Sequence, residues 1–332
     1  MRLSVIMPSY NTPKSVLARS ISSVINAISA DDELIVVDDK STRNIDAFEY
    51  VSRMFPTVRI VHQEANRGQA FARNTGMDLA QGEFIAFIDS DDEVFEFAYS
   101  KSIDALNSTG ADIAVYGVKT IWQGLHLSKV DRLSDKNYGV LDSDGFGEIW
   151  GHRLFTYPWN KVYRKSFLDS HKIRFKEKCI PREDEVLNFE CVLKKAQWVS
   201  IGYVGHVYYH QSSSSLGRFR PYNRESNLAV ENSRNECVKS LGCEDGVRFG
   251  MKRMSECDLC QSDWLNIWRK GSSYSYWGRY KWLRLNMSEL SLVEGVGTYF
   301  KTWMWALIRK HFYFRFLQRV HIKKLHRNIV SD

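Results

Sequence analysis

Short apolar runs alternate with longer segments in which apolar residues recur every three to four positions over the first 118 residues. The short runs predict buried strands, and the longer segments predict helices with one buried face. Strands are predicted at residues 3–7, 34–37, 58–61, 84–88 and 112–118, and helices after Thr12 and at residues 45–54, 69–80 and 98–108. This alternation predicts a mostly parallel sheet with helices on both faces.

The first predicted helix also carries a start signal. Thr12 is a residue type that caps helices, and Pro13 suits the first helical position, where no backbone N–H is needed. We therefore expect Thr12 to be the N-cap. Residues 139–151, which are rich in glycine and aspartate, are expected to form a loop.

Polar clusters follow three of the predicted strands: Pro8-Ser9-Tyr10-Asn11, Asp38-Asp39 and Asp89-Ser90-Asp91-Asp92. Ligands of such sheets bind outside the carboxyl ends of the strands, so the three clusters predict one site. The last cluster places three carboxylates after a buried strand, where Mg²⁺ or Mn²⁺ would relieve their repulsion. A solvated acidic turn is the alternative interpretation.

Glycine is missing from the turn after the first strand, which reads Pro8-Ser9-Tyr10-Asn11. A dinucleotide site or a phosphate-binding P-loop needs glycine at that place, because the backbone must approach the phosphates closely. Both of these nucleotide sites are therefore disfavoured.

The chain resembles the family 2 glycosyltransferases of the GT-A fold over roughly residues 1–215. The resemblance is carried by residues 5–11, 36–42, 66–68 with 72–76, 89–92, 159–168 and 183–184, in this order and at this spacing. It implies an α/β architecture, Rossmann-like, with a mostly parallel central sheet flanked by helices. It also implies an inverting transfer of sugar from a nucleotide-diphospho-sugar.

The resemblance implies roles for individual residues. The nucleotide-sugar would be bound by Pro8, Tyr10, Asp39, Arg67, Arg73, Asp89 and Ser90. Asp91 would bind the Mn²⁺ or Mg²⁺ ion that bridges the diphosphate, and Asp184 would be the catalytic base. For Arg73 a surface position on its helix is the alternative, and for the acidic run around Asp184 it is a solvated face.

On the acceptor side the resemblance implies Trp159, Glu183 and His210. Core packing is the alternative for Trp159, and an ordinary surface position is the alternative for His210. The predicted division is a nucleotide-sugar half at residues 1–118, an acceptor half at 119–220 and a helical extension at 221–332.

The positive charge is concentrated at the C-terminal end. Residues 264–332 hold 13 Lys and Arg against three acidic residues, a net charge of +10, whereas the rest of the chain carries −3. This distribution argues against nucleic acid as a partner. Aromatic residues interleaved with the basic ones predict attachment to an anionic membrane surface. A helix packed on the catalytic domain is the alternative.

The start of the sequence, Met1-Arg2-Leu3-Ser4, runs into a strand without a signal-peptide pattern, which favours a cytoplasmic protein on the cytoplasmic face of the membrane. We expect a metal-dependent transferase that moves a sugar, with UDP as the expected nucleotide, to a glycan or lipid-linked saccharide of a cell-surface polysaccharide. The alternative function is a non-catalytic nucleotide-sugar-binding or scaffold subunit.

Overall fold

The computed structural model of the chain describes residues 2–122, 127–151, 154–177 and 182–210, together with residues 230, 232–233, 236–237 and 239–241. Its strands are β1 (Leu3–Ser9), β2 (Glu33–Asp38), β3 (Arg59–His62), β4 (Phe84–Phe87), β5 (Glu93–Val94), β6 (Ile113–Trp122), β7 (Leu127–Asp131), β8 (Lys136–Val140), β9 (Lys161–Arg164) and β10 (Gln197–His210). Its helices are α1 (Lys14–Ala27), α2 (Asp46–Met54), α3 (Gln69–Leu79), α4 (Ala98–Thr109), α5 (Ser143–Gly151), α6 (Lys165–Ser170) and α7 (Glu183–Leu193).

One sheet runs through the described part of the chain in the order β3-β2-β1-β4-β9-β6-β10-β5. Strands β1 to β4 are mutually parallel where they pair, and β6 is parallel to β10. Strand β9 is antiparallel to both β4 and β6 and so joins the two parallel parts. The predicted α/β class is confirmed, with a mixed sheet in place of a largely parallel one.

Helices cover both faces of the sheet, as successive residues of β1 illustrate. Ile6 faces a core that includes residues of α3, whereas Val5 and Met7 face the core formed with α1, α2 and α4. All three side chains are fully buried. A strand buried on both faces reads as a continuous apolar run, which explains the pattern in the sequence.

Two local predictions are wrong. Helix α1 begins after Pro13, which is its N-cap, while the hydroxyl of Thr12 lies 2.7 Å from that of Ser90. The supposed loop at residues 139–151 contains α5, because the Asp142 carboxylate accepts a hydrogen bond from the Gly145 N–H and Phe146 is buried in the core. A side-chain cap and a buried apolar face offset the low helix propensity of glycine.

The predicted boundary between residues 118 and 119 lies inside β6, and the one at residue 220 lies outside the described residues. The basic and aromatic segment at 264–332 also lies outside them. The division into three parts therefore stays a prediction.

Among the described residues, no helix is both long enough and apolar enough to cross a bilayer.

Gly76 allows α3 to lie directly on β1, since a Cβ atom at Gly76 would stand 2.3 Å from Cγ2 of Ile6. We expect Gly76→Ala to lower the free energy of unfolding by about 1–3 kcal/mol, because the core must be overpacked or α3 displaced. Gly147→Ala in α5 is the matched control, since its Cβ meets nothing within 4 Å and it should gain about 0.5–1 kcal/mol. Urea unfolding of both variants measures the difference, and equal stability of the two would contradict the packing argument.

Candidate functional site

Asn11 connects the turns after β1 and β2 by hydrogen bonds. Its Oδ1 accepts hydrogen bonds of 2.8 Å from the backbone N–H groups of Thr42 and Arg43, and its own N–H donates to Ser41 Oγ at 2.9 Å. Asn11 adopts the left-handed conformation with φ 54°, which Asn tolerates better than most residues. The neighbouring Tyr10 is 44% exposed, so its ring is available to a ligand.

Pro8, which the resemblance also implies for donor binding, occupies a different environment. It is buried within β1, where it pairs in register with Val37 of β2. Of these two residues Tyr10 is the exposed one, and the binding roles of both stay predictions.

Asp38 is the last residue of β2 and Asp39 follows it, and their carboxylates accept hydrogen bonds from two different loops. Asp38 accepts from the Ser41 N–H at 2.9 Å and lies 2.9 Å from His62 Nδ1, which agrees with a structural role. The carboxylate of Asp39 accepts from the N–H groups of Arg67 and Gly68, both at 2.8 Å. Asp39 thus joins the end of β2 to the start of α3.

Arg67 lies on the surface just before α3. Its guanidinium is 3.3 Å from the ring centroid of Phe71 and donates to Glu177 at 3.0 Å. About half of the side chain is exposed, at 51%. It can therefore turn toward an anionic ligand at small cost, since an exposed ion pair is worth about 0–1 kcal/mol.

Arg73 of α3 is the buried centre of the site. It is 0% exposed, donates to Asp89 Oδ1 at 2.8 Å and also donates to Asp184 Oδ1. Its Nη1 lies 3.5 Å from Glu183 Oε1. The surface alternative for Arg73 is thus wrong, and the guanidinium instead joins α3, the turn after β4 and α7.

The acidic run at the start of α7 is buried, so the solvated-face alternative is wrong as well. Glu183 and Glu185 are 0% and 2% exposed, and Gln69 donates a hydrogen bond to Glu183. Carboxylates in a first helical turn are favoured by the backbone N–H groups that point at them. Burial raises the pKa of Asp184 to about 8 against the opposing effect of Arg73, with Glu183 and Asp89 adding repulsion.

The turn after β4 distributes its carboxylates among different partners. Asp92 is fully buried, with Oδ2 3.0 Å from Nε2 of His206 and Oδ1 accepting from the Tyr209 N–H at 3.1 Å. The Ser90 hydroxyl is hydrogen-bonded with that of Thr12 at 2.7 Å. Of the four residues in this turn, Asp91 is the one whose carboxylate accepts no hydrogen bond from another described residue.

Asp91 fits a divalent cation. Burial, followed by the charges of Asp92 and Asp89, raises the pKa of Asp91 to about 7, so its ionised form lacks compensation. Within the described residues no group of three or more His, Cys, Asp or Glu could hold a metal ion alone. Mg²⁺ and Mn²⁺ suit such a site, since magnesium commonly uses one or two carboxylates and takes its other ligands from phosphates and water.

An aromatic stack leads from this turn to the surface. The ring of Trp159 lies 4.1 Å from that of His206 and 4.5 Å from that of Tyr157, nearly parallel to both. Trp159 is 3% exposed, which agrees with the core-packing alternative, and Tyr157 is 37% exposed. His210 ends β10 in register with Trp122, and its acceptor role stays a prediction.

Two residues at the site carry no signal in the local sequence. His206 meets Asp92 across 114 positions, and Arg19 of α1 donates to the backbone oxygen of Asp91 at 2.8 Å. Burial lowers the pKa of His206 to about 3, so its imidazole is neutral beside Asp92. Only the pairing of distant strands and helices reveals these contacts.

Comparison with known proteins supports the resemblance. The model of glycosyl transferase family 2 matches residues 4–171. The poly(ribitol-phosphate) β-N-acetylglucosaminyltransferase TarP of Staphylococcus aureus is 28% identical over 202 residues, which cover 59% of each chain. The Escherichia coli UDP-Glc:α-D-GlcNAc-diphosphoundecaprenol β-1,3-glucosyltransferase WfgD is 43% identical over 90 residues, which cover 27% of this chain and 35% of WfgD.

Solved structures show the same fold. The structure of S. aureus TarS 1-349 in complex with UDP-GlcNAc matches with a TM-score of 0.60 at 19% identity, over 72% of this chain and 67% of that one. This similarity supports a GT-A architecture. The chain spans little more than half the length of TarP and about a third of that of WfgD.

The raised pKa of Asp91 predicts that Asp91→Asn stabilises the ligand-free protein. The folded pKa of about 7 exceeds the ordinary value of 3.8, so folding takes up a proton between these values and the wild type loses stability as pH rises through them. The difference in free energy of unfolding between Asp91→Asn and the wild type should be complete at pH 8 and should vanish below pH 4. One pH unit of pKa displacement equals about 1.4 kcal/mol, and solvent screening reduces the expected gain to about 1–2 kcal/mol.

Thermal unfolding of Asp91→Asn across this pH range tests the expectation. Asp31→Asn is the control, because Asp31 is an exposed carboxylate on the same domain. A gain at pH 8 in both variants, or in neither, would show that Asp91 is not under electrostatic strain.

Proposed function

This chain belongs to glycosyl transferase family 2, and we propose that it transfers a hexose or N-acetylhexosamine from a UDP-sugar, with inversion, to a glycan or lipid-linked acceptor of a cell-surface polymer. The observation that carries the proposal is the ion cluster in which Arg73 holds both Asp89 and Asp184. The cluster holds Asp89, which is proposed to bind the ribose of the donor, at a fixed distance from Asp184, which is proposed to be the base.

The donor's base is proposed to bind at the rim formed by Tyr10 and Asp39. The exposed Tyr10 ring offers a stacking surface, and the carboxylate of Asp39, which follows β2 at the same rim, is proposed to accept from the ring N–H of uracil. UDP is favoured because TarS was solved with UDP-GlcNAc and the name of WfgD includes UDP-Glc.

The diphosphate is proposed to lie over the turn that contains Asp91, with Arg67 at its edge. Arg73 is fully buried, so its proposed role changes from contacting the donor to holding Asp89 and Asp184 in place. A Mn²⁺ or Mg²⁺ ion bound by Asp91 would supply charge stabilisation for the diphosphate as it departs. The neutral imidazole of His206 holds Asp92 in place beneath this turn and adds no charge of its own.

Asp184 is proposed to take the proton from the attacking hydroxyl of the acceptor. A carboxylate is a weak base at its ordinary pKa, and burial among other carboxylates strengthens it. The adjacent Arg73 keeps the carboxylate oriented and limits how far its pKa rises. Direct attack on the anomeric carbon from the face opposite the diphosphate inverts that centre.

The acceptor is proposed to approach from the side of Tyr157, with Glu183 and Trp159 supporting that side from within the core. The name of TarP, a poly(ribitol-phosphate) β-N-acetylglucosaminyltransferase, supports a polymer of the cell surface as the acceptor. Attachment of residues 264–332 to an anionic membrane on its cytoplasmic face is part of this proposal, on the strength of their net charge of +10.

A scaffold subunit that binds nucleotide-sugars without catalysis is the competing function. Three carboxylates surround the buried guanidinium of Arg73, and Glu183 among them is fully buried while Asp89 and Asp184 are partly exposed. Such a cluster lowers the stability of the fold, and a scaffold would gain nothing from it. This favours the enzyme, and the two functions differ in their response to substitution of Asp184.

The nucleotide prediction is tested by thermal unfolding with UDP, GDP or dTDP, each with and without Mn²⁺. We expect UDP with Mn²⁺ to stabilise the protein by about 2.7 kcal/mol at 100 times its dissociation constant. Asp91→Asn should lose the part of this gain that needs Mn²⁺, whereas Asp31→Asn should keep it. Stabilisation by none of the three nucleotides would refute the donor site.

The catalytic prediction concerns hydrolysis of the donor by water, followed as release of UDP. Asp184→Asn should lower the rate about 10²–10⁴-fold while nucleotide stabilisation persists. In the wild type, kcat/KM should rise with pH up to about 8, because the base acts only when ionised and its pKa is raised to about 8. Asp78→Asn, an exposed carboxylate of α3, should behave as wild type. A fully active Asp184→Asn would favour the scaffold function or another base.

A further inference from the structure

We propose that Lys161 is a positioning residue that presents the ring of Tyr157 as the surface on which the acceptor's sugar stacks. This inference rests on the proposed function and identifies the chemistry of its acceptor side: the apolar C–H face of a pyranose ring. It depends on two observations, a set of inward-facing carbonyl groups and an aromatic stack.

Four successive backbone carbonyl groups, those of residues 154–157, are held by buried side chains. The ammonium of Lys161 donates to the carbonyl oxygens of Leu154, at 2.7 Å, and of Tyr157. Asn188 of α7 donates to the oxygens of Phe155 and Thr156 at 2.8 and 3.1 Å. The backbone of this segment is therefore fixed from the inside by hydrogen bonds.

Lys161 is a costly residue to place there. Its side chain is 0% exposed and has no carboxylate partner among its hydrogen bonds, whose third acceptor is Oδ1 of Asn160 at 2.9 Å. Burial lowers the pKa of the Lys161 ammonium well below its ordinary value. An apolar residue of similar length would pack without this penalty, so the hydrogen bonds to the segment are what the lysine contributes.

The same segment connects to the proposed reaction centre. Asn188, which holds Phe155 and Thr156, also donates to the backbone oxygen of Asp184 at 3.2 Å, one helical turn away. On the other side, Tyr157 stacks on Trp159, and Trp159 stacks on His206, the partner of Asp92. The Tyr157 ring is thus held relative to both Asp184 and the acidic turn.

The exposed end of this stack suits a sugar. Tyr157 is 37% exposed and stacks on Trp159, which is 3% exposed, and on Tyr208 at a ring distance of 6.4 Å. The face of an aromatic ring carries negative charge density, and the C–H groups on one face of a pyranose carry the complementary partial charge. A ring held in this way loses little side-chain entropy when a sugar binds.

The test is saturation-transfer NMR on the full chain with UDP and Mn²⁺ present and methyl β-glycosides of glucose, galactose and N-acetylglucosamine as probes. In the wild type we expect at least one glycoside to bind. Tyr157→Ala and Lys161→Met should weaken its binding about tenfold or more, equivalent to 1.4 kcal/mol. UDP binding should change less than about twofold, a selectivity that general loss of structure would not produce.

Control variants separate the contribution of Tyr157 from that of Lys161. Tyr157→Phe keeps the ring and should bind as wild type, as should Lys165→Met, which removes a partly exposed lysine paired with Asp169. If Lys161→Met does not fold, Lys161→Gln serves in its place, because its amide retains two N–H donors for the carbonyl groups and should bind with intermediate affinity.

Each contrary result has a defined meaning. Failure of UDP to bind the wild type refutes the proposed function itself. UDP binding without binding of any glycoside, or glycoside binding that survives Tyr157→Ala, overturns the stacking surface. Loss in Tyr157→Ala with none in either Lys161 variant overturns the role of Lys161.

Discussion

The structure depends on the ion cluster around Arg73. A guanidinium with no exposed surface holds Asp89, at the end of β4, and Asp184, at the start of α7, with Glu183 3.5 Å away. Removing Arg73 would leave these carboxylates without a compensating charge, and breaking a buried ion pair in this way costs about 3–5 kcal/mol. The cluster therefore fixes the distance between two elements that the sheet alone would not hold together.

This arrangement also leaves the rim short of positive charge. One guanidinium faces three carboxylates, and Asp91 and Asp92 add two more close by. Of the arginines at the rim, Arg19 pairs with Glu93, and Arg67 pairs with Glu177 in an exposed ion pair that it can leave at small cost. A diphosphate would therefore approach this rim more favourably together with a cation, which the half-buried Asp91 is proposed to bind.

The sequence was sufficient for the parts of the fold that depend on local pattern. Except for the two-residue β5, which was not predicted, the strands and helices up to β6 lie within a few residues of their predicted positions, because each has an apolar face with a clear period. Helix α5 was not predicted, because the glycines on either side of the buried Phe146 indicate a loop. Thr12 was wrongly predicted to be the N-cap, because its hydroxyl contacts that of Ser90 instead.

The site was predictable where residues cluster at strand ends and unpredictable where distant segments meet. Asp39, Asp89 and Asp91 follow strands, so their convergence follows from the topology. The contact between His206 and Asp92, in contrast, depends on how β10 pairs with β5. The burial of Arg73 likewise depends on α7 covering it, and nothing in the helical pattern of α3 distinguishes a buried arginine from an exposed one.

The two sides of the site are held by different forces, and this difference bears on how they respond to ligands. Charges fix the geometry of the proposed donor side, where carboxylates change the proton affinity of their neighbours. Hydrogen bonds between side chains and backbone carbonyls fix the proposed acceptor side, around Lys161 and Asn188. Binding of a metal and a diphosphate would thus reset protonation at Asp91 and Asp184 while the segment at residues 154–157 stays in place. A site built in this way can change the strength of its base on donor binding without moving the surface that receives the acceptor.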